Sequence, residues 1–241
     1  MGQSDPVMTT VCCGAQVACD QCDARDLAVC AVLDEDELRR FSAAATTARL
    51  EAGQTLFHEG EPADEMFSLT EGMIKLYKLL QDGRRQITGF LVAGDFLGLA
   101  FGRTYVYSAE AVTPVRLCRF RRAVFLRLLE EMPHLERNLL GRASSELAAA
   151  QEQMLLLGRK TARERLATFL LTIAERQRRT DSEPVDLLMS RSDIADYLGL
   201  TIETVSRTLS TMRRLGAIAL DGTSRVYIPD REALRTIAGV G

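Results

Sequence analysis

Residues 189–218, MSRSDIADYLGLTIETVSRTLSTMRRLGAI, carry the signals of two short helices joined by a tight turn. Ser190 and Asp193 have the spacing of a capping box at the start of a first helix, with Asp in place of the usual Glu. Gly199 supplies the turn, and Thr201 can cap a second helix. Both helices have an inner aliphatic face: Ile194, Ala195, Leu198, Val205, Leu209 and Met212. The pattern predicts a helix-turn-helix, and the alternative is a helical pair with a solvated charged face.

The outward face of the second helix carries polar residues that suit a DNA groove. Glu203, Ser206 and Arg207 lie in its first turns, beside Thr201 at the cap. Arginine can form two hydrogen bonds to guanine, glutamate can accept one from cytosine N4, and serine tolerates several bases. Two further cations on this helix suit phosphate contacts: Arg213 and Arg214.

A hairpin is predicted directly after these helices. In residues 219–229, ALDGTSRVYIP, two short strands flank the turn residues Asp221 and Gly222. A hairpin in this position is typical of the wing of a winged helix-turn-helix. Double-stranded DNA is therefore the expected partner of this end of the chain.

The middle of the chain has a different period. From Glu51 to Phe120, short apolar stretches alternate with turn residues at intervals of about 7–12 residues, which favours an all-β barrel, roll or sandwich. Five glycines punctuate it: Gly53, Gly60, Gly72, Gly83 and Gly94.

A long helix is predicted after Pro133, a residue that suits a helix start. An apolar stripe of coiled-coil type follows: Leu135, Leu139, Ala143, Leu147, Ala150, Met154 and Leu157. We interpret the part from Leu139 to Leu157 as a dimerisation surface, on which small alanines allow a partner helix to come close. The alternative is a helix packed on its own β domain.

Composition and charge are those of a globular protein with two different halves. The chain has 241 residues, no apolar run near the length of a membrane span, and no secretory signal pattern at its start. We therefore expect a cytoplasmic protein without a membrane partner. Residues 1–159 carry 17 basic and 22 acidic residues (net −5), and residues 160–241 carry 13 and 11 (net +2). The asymmetry suggests two domains with different partners.

Five of the six cysteines fall in the first thirty residues: Cys12, Cys13, Cys19, Cys22 and Cys30. The sixth is Cys118. In a reducing compartment such a cluster more often binds metal or does redox work than forms disulfides. With only two histidines in the chain, thiolates must dominate any metal site. Zinc, an iron–sulfur cluster and a redox dithiol all remain open on spacing alone, although no thioredoxin-like βαβ pattern surrounds the cysteines.

The order of these parts resembles the CRP/FNR family of bacterial transcription regulators. The resemblance covers the chain from about Cys19 onward and is closest to the oxygen-sensing FNR/FnrN branch. It rests on LGLTIETVSRTL, on QITGFLVAGDFLG, and on CDQCDARDLAVC at residues 19–30 with Cys118. The resemblance implies an α+β chain with a cupin-like β-roll of the cyclic-nucleotide-binding-domain fold. Four segments follow: an N-terminal cysteine segment (1–33), the β-roll (34–132), a dimerisation helix (133–158) and a winged helix-turn-helix domain (159–241).

The FNR branch implies a [4Fe–4S] cluster on Cys19, Cys22, Cys30 and Cys118. Such a cluster takes four thiolates. Cys118 has the opposite strand parity to Val115 and Leu117, which permits a ligand on the other face of the strand. The adjacent pair Cys12 and Cys13 departs from the pattern; we interpret it as spare thiols, one of which could replace Cys19.

The CRP branch binds cyclic nucleotide with an acidic residue soon after a glycine and an arginine before Ser/Thr-Ala. Here the first position reads Gly94-Asp95, and Tyr107 stands before Ser108-Ala109 where the arginine should be. Without that cation a cyclic phosphate would be desolvated with no charged partner. We therefore expect no cyclic-nucleotide binding.

The resemblance implies an oxygen-responsive DNA-binding regulator and no enzyme activity. With the cluster intact, a homodimer would place two recognition helices on a TTGAT-N4-ATCAA-like pseudo-palindrome. RNA polymerase would contact exposed loops such as LLQDGRRQITG at residues 79–89, with Asp82, Arg84 and Arg85 exposed. A nitric-oxide-responsive cluster, a zinc-stabilised regulator and, less consistently, a thiol redox protein use the same residues.

One residue of the predicted dimerisation surface affects how readily the cluster-free form would dimerise. Ala150 stands where FNR-type proteins can carry an acidic residue that opposes pairing, with Glu146 and Glu152 nearby. We expect the cluster-free form to dimerise more readily than an FNR that has that charge.

Overall fold

Short strands form where apolar runs end in glycine turns, as the period of residues 51–120 predicts. The computed structural model describes residues 19, 22–99, 102–177, 179–180 and 183–239. Two four-stranded sheets have the orders β1-β8-β3-β6 and β2-β7-β4-β5. The strands are β1 (Ala45–Leu50), β2 (Thr55–Phe57), β3 (Glu65–Glu71), β4 (Met73–Leu79), β5 (Arg85–Val92), β6 (Phe96–Leu97), β7 (Ser108–Ala111) and β8 (Val115–Arg121).

Strand β8 is buried on both faces. Val115 and Leu117 belong to the apolar cluster inside the β-roll. Cys118 and Phe120 point the other way, into a second cluster that the flanking helices cover. The parity predicted for Cys118 is therefore confirmed. The helices on this side are α1 (Glu35–Ala44), α2 (Arg122–Glu131) and α3 (Pro133–Arg159).

The second cluster holds the chain before β1 against β8 and the helices. Phe41 of α1 lies 4.6 Å from Phe120, and Phe120 lies 5.3 Å from Phe125 of α2, measured between ring centroids. Two short 3-10 turns, Arg25–Leu27 and Val29–Val32, precede α1. Val29 and Cys30 of the second turn are buried in this cluster, so the cysteine-bearing segment packs as part of the core.

The C-terminal part contains the predicted helical pair and hairpin. Its elements are α4 (Ala162–Arg176), β9 (Val185–Asp186), α5 (Arg191–Leu198), α6 (Ile202–Arg214), β10 (Ala219–Asp221), β11 (Arg225–Tyr227) and α7 (Arg231–Ala238). The hairpin β10–β11 extends to β9 in a three-stranded sheet. None of the helices within the described residues is long and apolar enough to cross a membrane.

The chain divides into two compact units. One comprises Met1–Leu76 and Phe90–Ala143, and the other Tyr77–Gly89 and Ser144–Gly241. The tip of the β4–β5 hairpin thus groups with the helix-turn-helix instead of the β-roll to which the sequence assigned it. The boundary within α3 also falls after Ala143, inside the segment predicted as a separate dimerisation helix.

Candidate functional sites: recognition helix and cysteine pocket

The helix-turn-helix forms through the predicted local signals. Ser190 accepts from the Asp193 amide and Asp193 accepts from the Ser190 amide, so the capping box is complete. Gly199 ends α5 with φ 61°, the left-handed conformation that glycine adopts without steric cost. Thr201 accepts from the Thr204 amide and begins α6. The inner face of α6 is buried, which fixes its opposite face towards solvent.

That opposite face presents the predicted DNA-facing residues. Glu203, Ser206, Arg207 and Arg213 are all exposed, as is Thr201 at the cap. The backbone amide of Glu203 and the Thr201 side chain, with Arg207 nearby, hold the pKa of Glu203 below its ordinary value. An ionised glutamate can accept a hydrogen bond from cytosine N4, and an arginine can donate two hydrogen bonds to guanine.

The wing is fastened to the start of α5. Arg191 of α5 donates to the Thr223 carbonyl at 2.9 Å, and Arg225 pairs with Asp221 across the hairpin at 2.7 Å. Gly222 forms the turn with φ 65°. The hairpin is therefore set at a fixed place beside the helical pair.

The tip of the β4–β5 hairpin also contacts α5. Arg85 donates to Asp193 at 3.0 Å and to Asp196 at 2.9 Å, and Gln86 donates to the Tyr197 carbonyl at 3.3 Å. The expectation that Arg85 is exposed is therefore wrong: it is half-buried because two carboxylates of α5 hold it. Asp82 and Arg84 are exposed as expected.

The four cysteines predicted as ligands line one pocket of about 330 Å³, counting the part that opens to solvent. Cys118 comes from β8, and Cys19, Cys22 and Cys30 come from the segment that packs over it. Its other lining residues are Arg25, Ala28, Phe41, Ser68 and Thr70. The fold thus gathers thiols that are 99 positions apart in the chain (118 − 19). Cys12 and Cys13 lie outside the described residues.

Burial controls the protonation of two of these thiols. Burial, together with the neighbouring Cys19 and Cys22, raises the pKa of Cys30 to about 11 and that of Cys118 to about 12. Both are therefore neutral thiols near pH 7 when nothing is bound. A metal or cluster would have to displace these protons, because thiolates are the ligands. Within the described part of the chain, no group of three or more His, Cys, Asp or Glu side chains is arranged to hold a metal ion.

Comparisons with known proteins agree with both halves of the chain. Residues 47–132 match the cyclic nucleotide-binding domain family, and residues 164–237 match the Crp-like helix-turn-helix domain family. The nitrogen fixation regulation protein FixK of Bradyrhizobium diazoefficiens is 46% identical over 84% of this chain and 86% of its own length. The transcriptional activator protein FnrL of Cereibacter sphaeroides is 40% identical over 92% of each chain. The solved structure of FixK2 from Bradyrhizobium japonicum has a TM-score of 0.75 and 37% identity, covering 80% of this chain and 96% of that one.

The chain is a CRP/FNR-family transcription regulator of the FNR-type branch. It is a DNA-binding protein and not an enzyme, and the winged helix-turn-helix is its DNA-binding element. The predicted fold class is confirmed.

The long helix of this regulator exposes a seam that differs by one residue from the predicted one. Leu139 is only 6% exposed, because it packs into the apolar cluster that also contains Phe125 and Met132. Its neighbour Leu140 is 70% exposed. The structure therefore places Leu139, which the sequence assigned to the dimerisation surface, in the core of its own chain, and it places Leu140 on the exposed face. The resulting set has alternating spacings of three and four: Leu140, Ala143, Leu147, Ala150, Met154 and Leu157.

The rest of the seam is accessible as predicted, except at its end. Ala143, Leu147, Ala150 and Met154 are exposed, whereas Leu157 is half-buried. A strict count of three-four spacings back from Ala143 could have selected Leu140 from the sequence. The packing of α3 then determines which of Leu139 and Leu140 is exposed, since only one of these neighbours can face the core.

Proposed function

We propose that this regulator senses oxygen through a [4Fe–4S] cluster held by Cys19, Cys22, Cys30 and Cys118. One observation carries the proposal: four cysteines from two distant parts of the chain line one pocket. When bound, such a cluster supplies an oxygen-labile link between the N-terminal segment and β8. The protein's own part is to hold the four thiols, exclude water with Phe41 and Ala28, and place the Arg25 cation beside the thiolates.

Two metal centres could use these four thiolates. A zinc ion would draw four sulfurs to about 2.3 Å from one centre, whereas in a [4Fe–4S] cluster each thiolate binds a different iron, so the sulfurs stand further apart. The metal analysis described below distinguishes the two.

Cyclic nucleotide is not the proposed signal, although the domain family that matches is named for it. Tyr107, which stands where a phosphate-binding arginine is expected, packs with its ring centroid 5.8 Å from that of Phe57. Phe57 in turn stacks on Tyr105 at 3.7 Å. Tyr107 carries no charge, so this position does not supply the cation that a cyclic phosphate needs.

The proposed output is a homodimer on DNA. The exposed seam from Leu140 to Leu157 suits a two-stranded coiled coil, in which apolar residues alternate at spacings of three and four. Glu203, Ser206 and Arg207 would then read each half of a TTGAT-N4-ATCAA-like site, while Thr201 and Arg213 position the helix on the backbone. Asp82 and Arg84 at the exposed hairpin tip are candidate contacts to RNA polymerase.

Anaerobic purification with iron, sulfide and zinc analysis tests the proposal. We expect about four irons and four sulfides per chain, a broad band near 400 nm that bleaches in air, and loss of binding to the palindromic duplex with it. Cys118→Ser should lose the iron, whereas the double variant Cys12→Ser and Cys13→Ser is the matched control and should keep it. Stoichiometric zinc without a visible band would overturn the cluster and leave the DNA-binding assignment intact. A band that bleaches with nitric oxide but survives air would identify nitric oxide, and not oxygen, as the signal.

A further inference from the structure

The long helix is hydrogen-bonded directly to the segment between two of the pocket cysteines. Arg142 of α3 donates to the Leu27 carbonyl at 2.5 Å, and Asn138 donates to the Val29 carbonyl at 2.9 Å. These two side chains are four residues apart and share one face of the helix. Leu27 and Val29 lie in the short turns between Cys22 and Cys30. Side chains of the helix are therefore bonded to the backbone of that segment.

The same arginine ties the segment to the turn after β5. A second nitrogen of Arg142 donates to the Gly94 carbonyl at 3.0 Å. Gly94 has φ +100°, and a Cβ placed there would stand 2.6 Å from the Leu27 Cβ and 2.9 Å from the Leu27 oxygen. The segment thus lies directly on a glycine that leaves room for it. Arg142 bonds both backbones at their point of closest approach.

The turns of α3 that carry these donors also carry the start of the exposed seam. Leu140 and Ala143 lie between and beside Asn138 and Arg142 in the chain, on another face of the helix. These turns of α3 therefore contact the cysteine segment on one face and form the start of the proposed dimer surface on another. A change in the segment that removes the Leu27 and Val29 carbonyls would free both donors.

We infer that Arg142 and Asn138 are the positioning residues through which the ligated cysteine segment stabilises the dimerisation helix. The inference rests on the proposed cluster, because ligation of Cys22 and Cys30 is what would hold Leu27 and Val29 against α3. A ligand shifts an equilibrium only through contacts that differ between two states. Two of these hydrogen bonds, from Arg142 to the Leu27 carbonyl and from Asn138 to the Val29 carbonyl, form only while the segment is docked, whereas the one from Arg142 to Gly94 does not involve the segment.

The test is the coupling between cluster binding and dimerisation. Analytical ultracentrifugation under nitrogen gives the dimer dissociation constant of the full chain, with and without the cluster, and the ratio of the two constants is the coupling factor. Arg142→Ala should keep about four irons and sulfides per chain and lower that factor about tenfold, the size expected for lost charged hydrogen bonds. Arg142→Lys keeps the charge but loses the two guanidinium nitrogens that donate to separate carbonyls, and it should restore only part of the coupling factor.

Arg137→Ala is the matched control. Arg137 lies on the same helix and is exposed, and its hydrogen bonds to described residues go to Pro133 and towards His134 of its own first turn. Its coupling factor should equal that of the wild type. If Arg142→Ala does not fold, Asn138→Ala removes a single amide donor and is measured in the same way, with a smaller expected loss.

The outcomes separate this inference from the proposed function. Equal weakening of the dimer in the loaded and cluster-free states of Arg142→Ala shows a merely structural role and overturns the inference. If Arg142→Ala and Asn138→Ala both bind the cluster and both have the wild-type coupling factor, the inference is also overturned, but the proposed cluster is not. A wild type without iron and sulfide overturns the proposed function and the inference with it.

Discussion

Arg85 and Asp193 form a hydrogen-bonded ion pair at 3.0 Å that joins the tip of the β4–β5 hairpin to the first helix of the helix-turn-helix. The side chain of Asp193 is 8% exposed and that of Arg85 25%. Asp193 also caps α5 by accepting from the Ser190 amide. One carboxylate therefore fixes the start of α5 and anchors the hairpin to it.

We expect Arg85→Ala to lower the free energy of unfolding by about 2 kcal/mol, because it leaves the buried Asp193 carboxylate without its cation. Urea denaturation followed by circular dichroism measures the change. The matched control is Arg84→Ala, whose partner Asp82 lies in the same exposed turn; it should change stability by less than about 0.5 kcal/mol. Equal effects of the two substitutions would contradict a role for the contact with α5.

The parts of the fold that were predictable are those specified by local signals. The Ser190–Asp193 box, the Gly199 turn and the Thr201 cap each act within three or four residues, so the helix-turn-helix follows from the sequence directly. The face of β8 occupied by Cys118 was also predictable, because strand parity is a local property.

Contacts between distant segments were not predictable in the same way. The pairing of Arg85 with Asp193 joins residues 108 positions apart, and no period within either segment indicates it. Leu139 and Leu140 are chemically identical neighbours; the core around Phe125 decides which of them is buried. Arg142 and Asn138 bond backbone carbonyls, which leave no mark on the sequence of their partners.

The adjacent leucines of α3 predict opposite consequences of the same substitution. Leu139→Ala removes a buried side chain and should lower the free energy of unfolding by about 2–4 kcal/mol. Leu140→Ala should leave stability of the monomer within about 0.5 kcal/mol and weaken the dimer instead. Denaturation and analytical ultracentrifugation of both variants distinguish the two effects. A dimer weakened only by Leu139→Ala would return the seam to the face predicted from the sequence.

Ala150 makes dimerisation in the cluster-free state testable. A small apolar residue here lets two helices approach, whereas an aspartate on each would place two like charges across the seam. We expect the cluster-free wild type to form dimers at high micromolar concentration and Ala150→Asp to be monomeric there, since like charges facing each other are destabilising. Equilibrium ultracentrifugation gives both results. A purely monomeric cluster-free wild type would contradict the expectation.

Substitution of two arginines of α6 should change DNA binding in different ways. Arg207 lies in the exposed first turns beside Glu203, where we propose that base edges are read, so Arg207→Ala should relax discrimination at one base pair by about 1–3 kcal/mol. Arg213, further along, should contact phosphate, so Arg213→Ala should weaken all sequences alike and reduce the salt slope by about one per bound subunit. Fluorescence anisotropy with matched and single-mismatch duplexes at several salt concentrations separates the two. Identical salt slopes and mismatch penalties for both variants would contradict the assignment.

The buried thiols predict slow alkylation of the cluster-free protein. With the pKa of Cys118 raised to about 12 and that of Cys30 to about 11 by burial, the reactive thiolate is a thousandth of Cys30 or less at pH 8. The rate with iodoacetamide should rise about tenfold per pH unit up to the pKa. Because the fold favours the protonated thiols, stability should be full below about pH 8.5, the ordinary thiol pKa, and should fall as pH rises through 11 to 12.

Mass spectrometry of peptides containing Cys30 and Cys118 after timed labelling measures these rates. The same chain in urea is the control, because unfolding returns both thiols to ordinary reactivity. Rapid and complete labelling of Cys118 in the folded protein at pH 8 would show that this thiol is accessible and ionised. The pocket would then not protect its ligands before the cluster binds, and proton release on cluster binding at neutral pH, which should approach one proton for each buried thiol, would be correspondingly smaller.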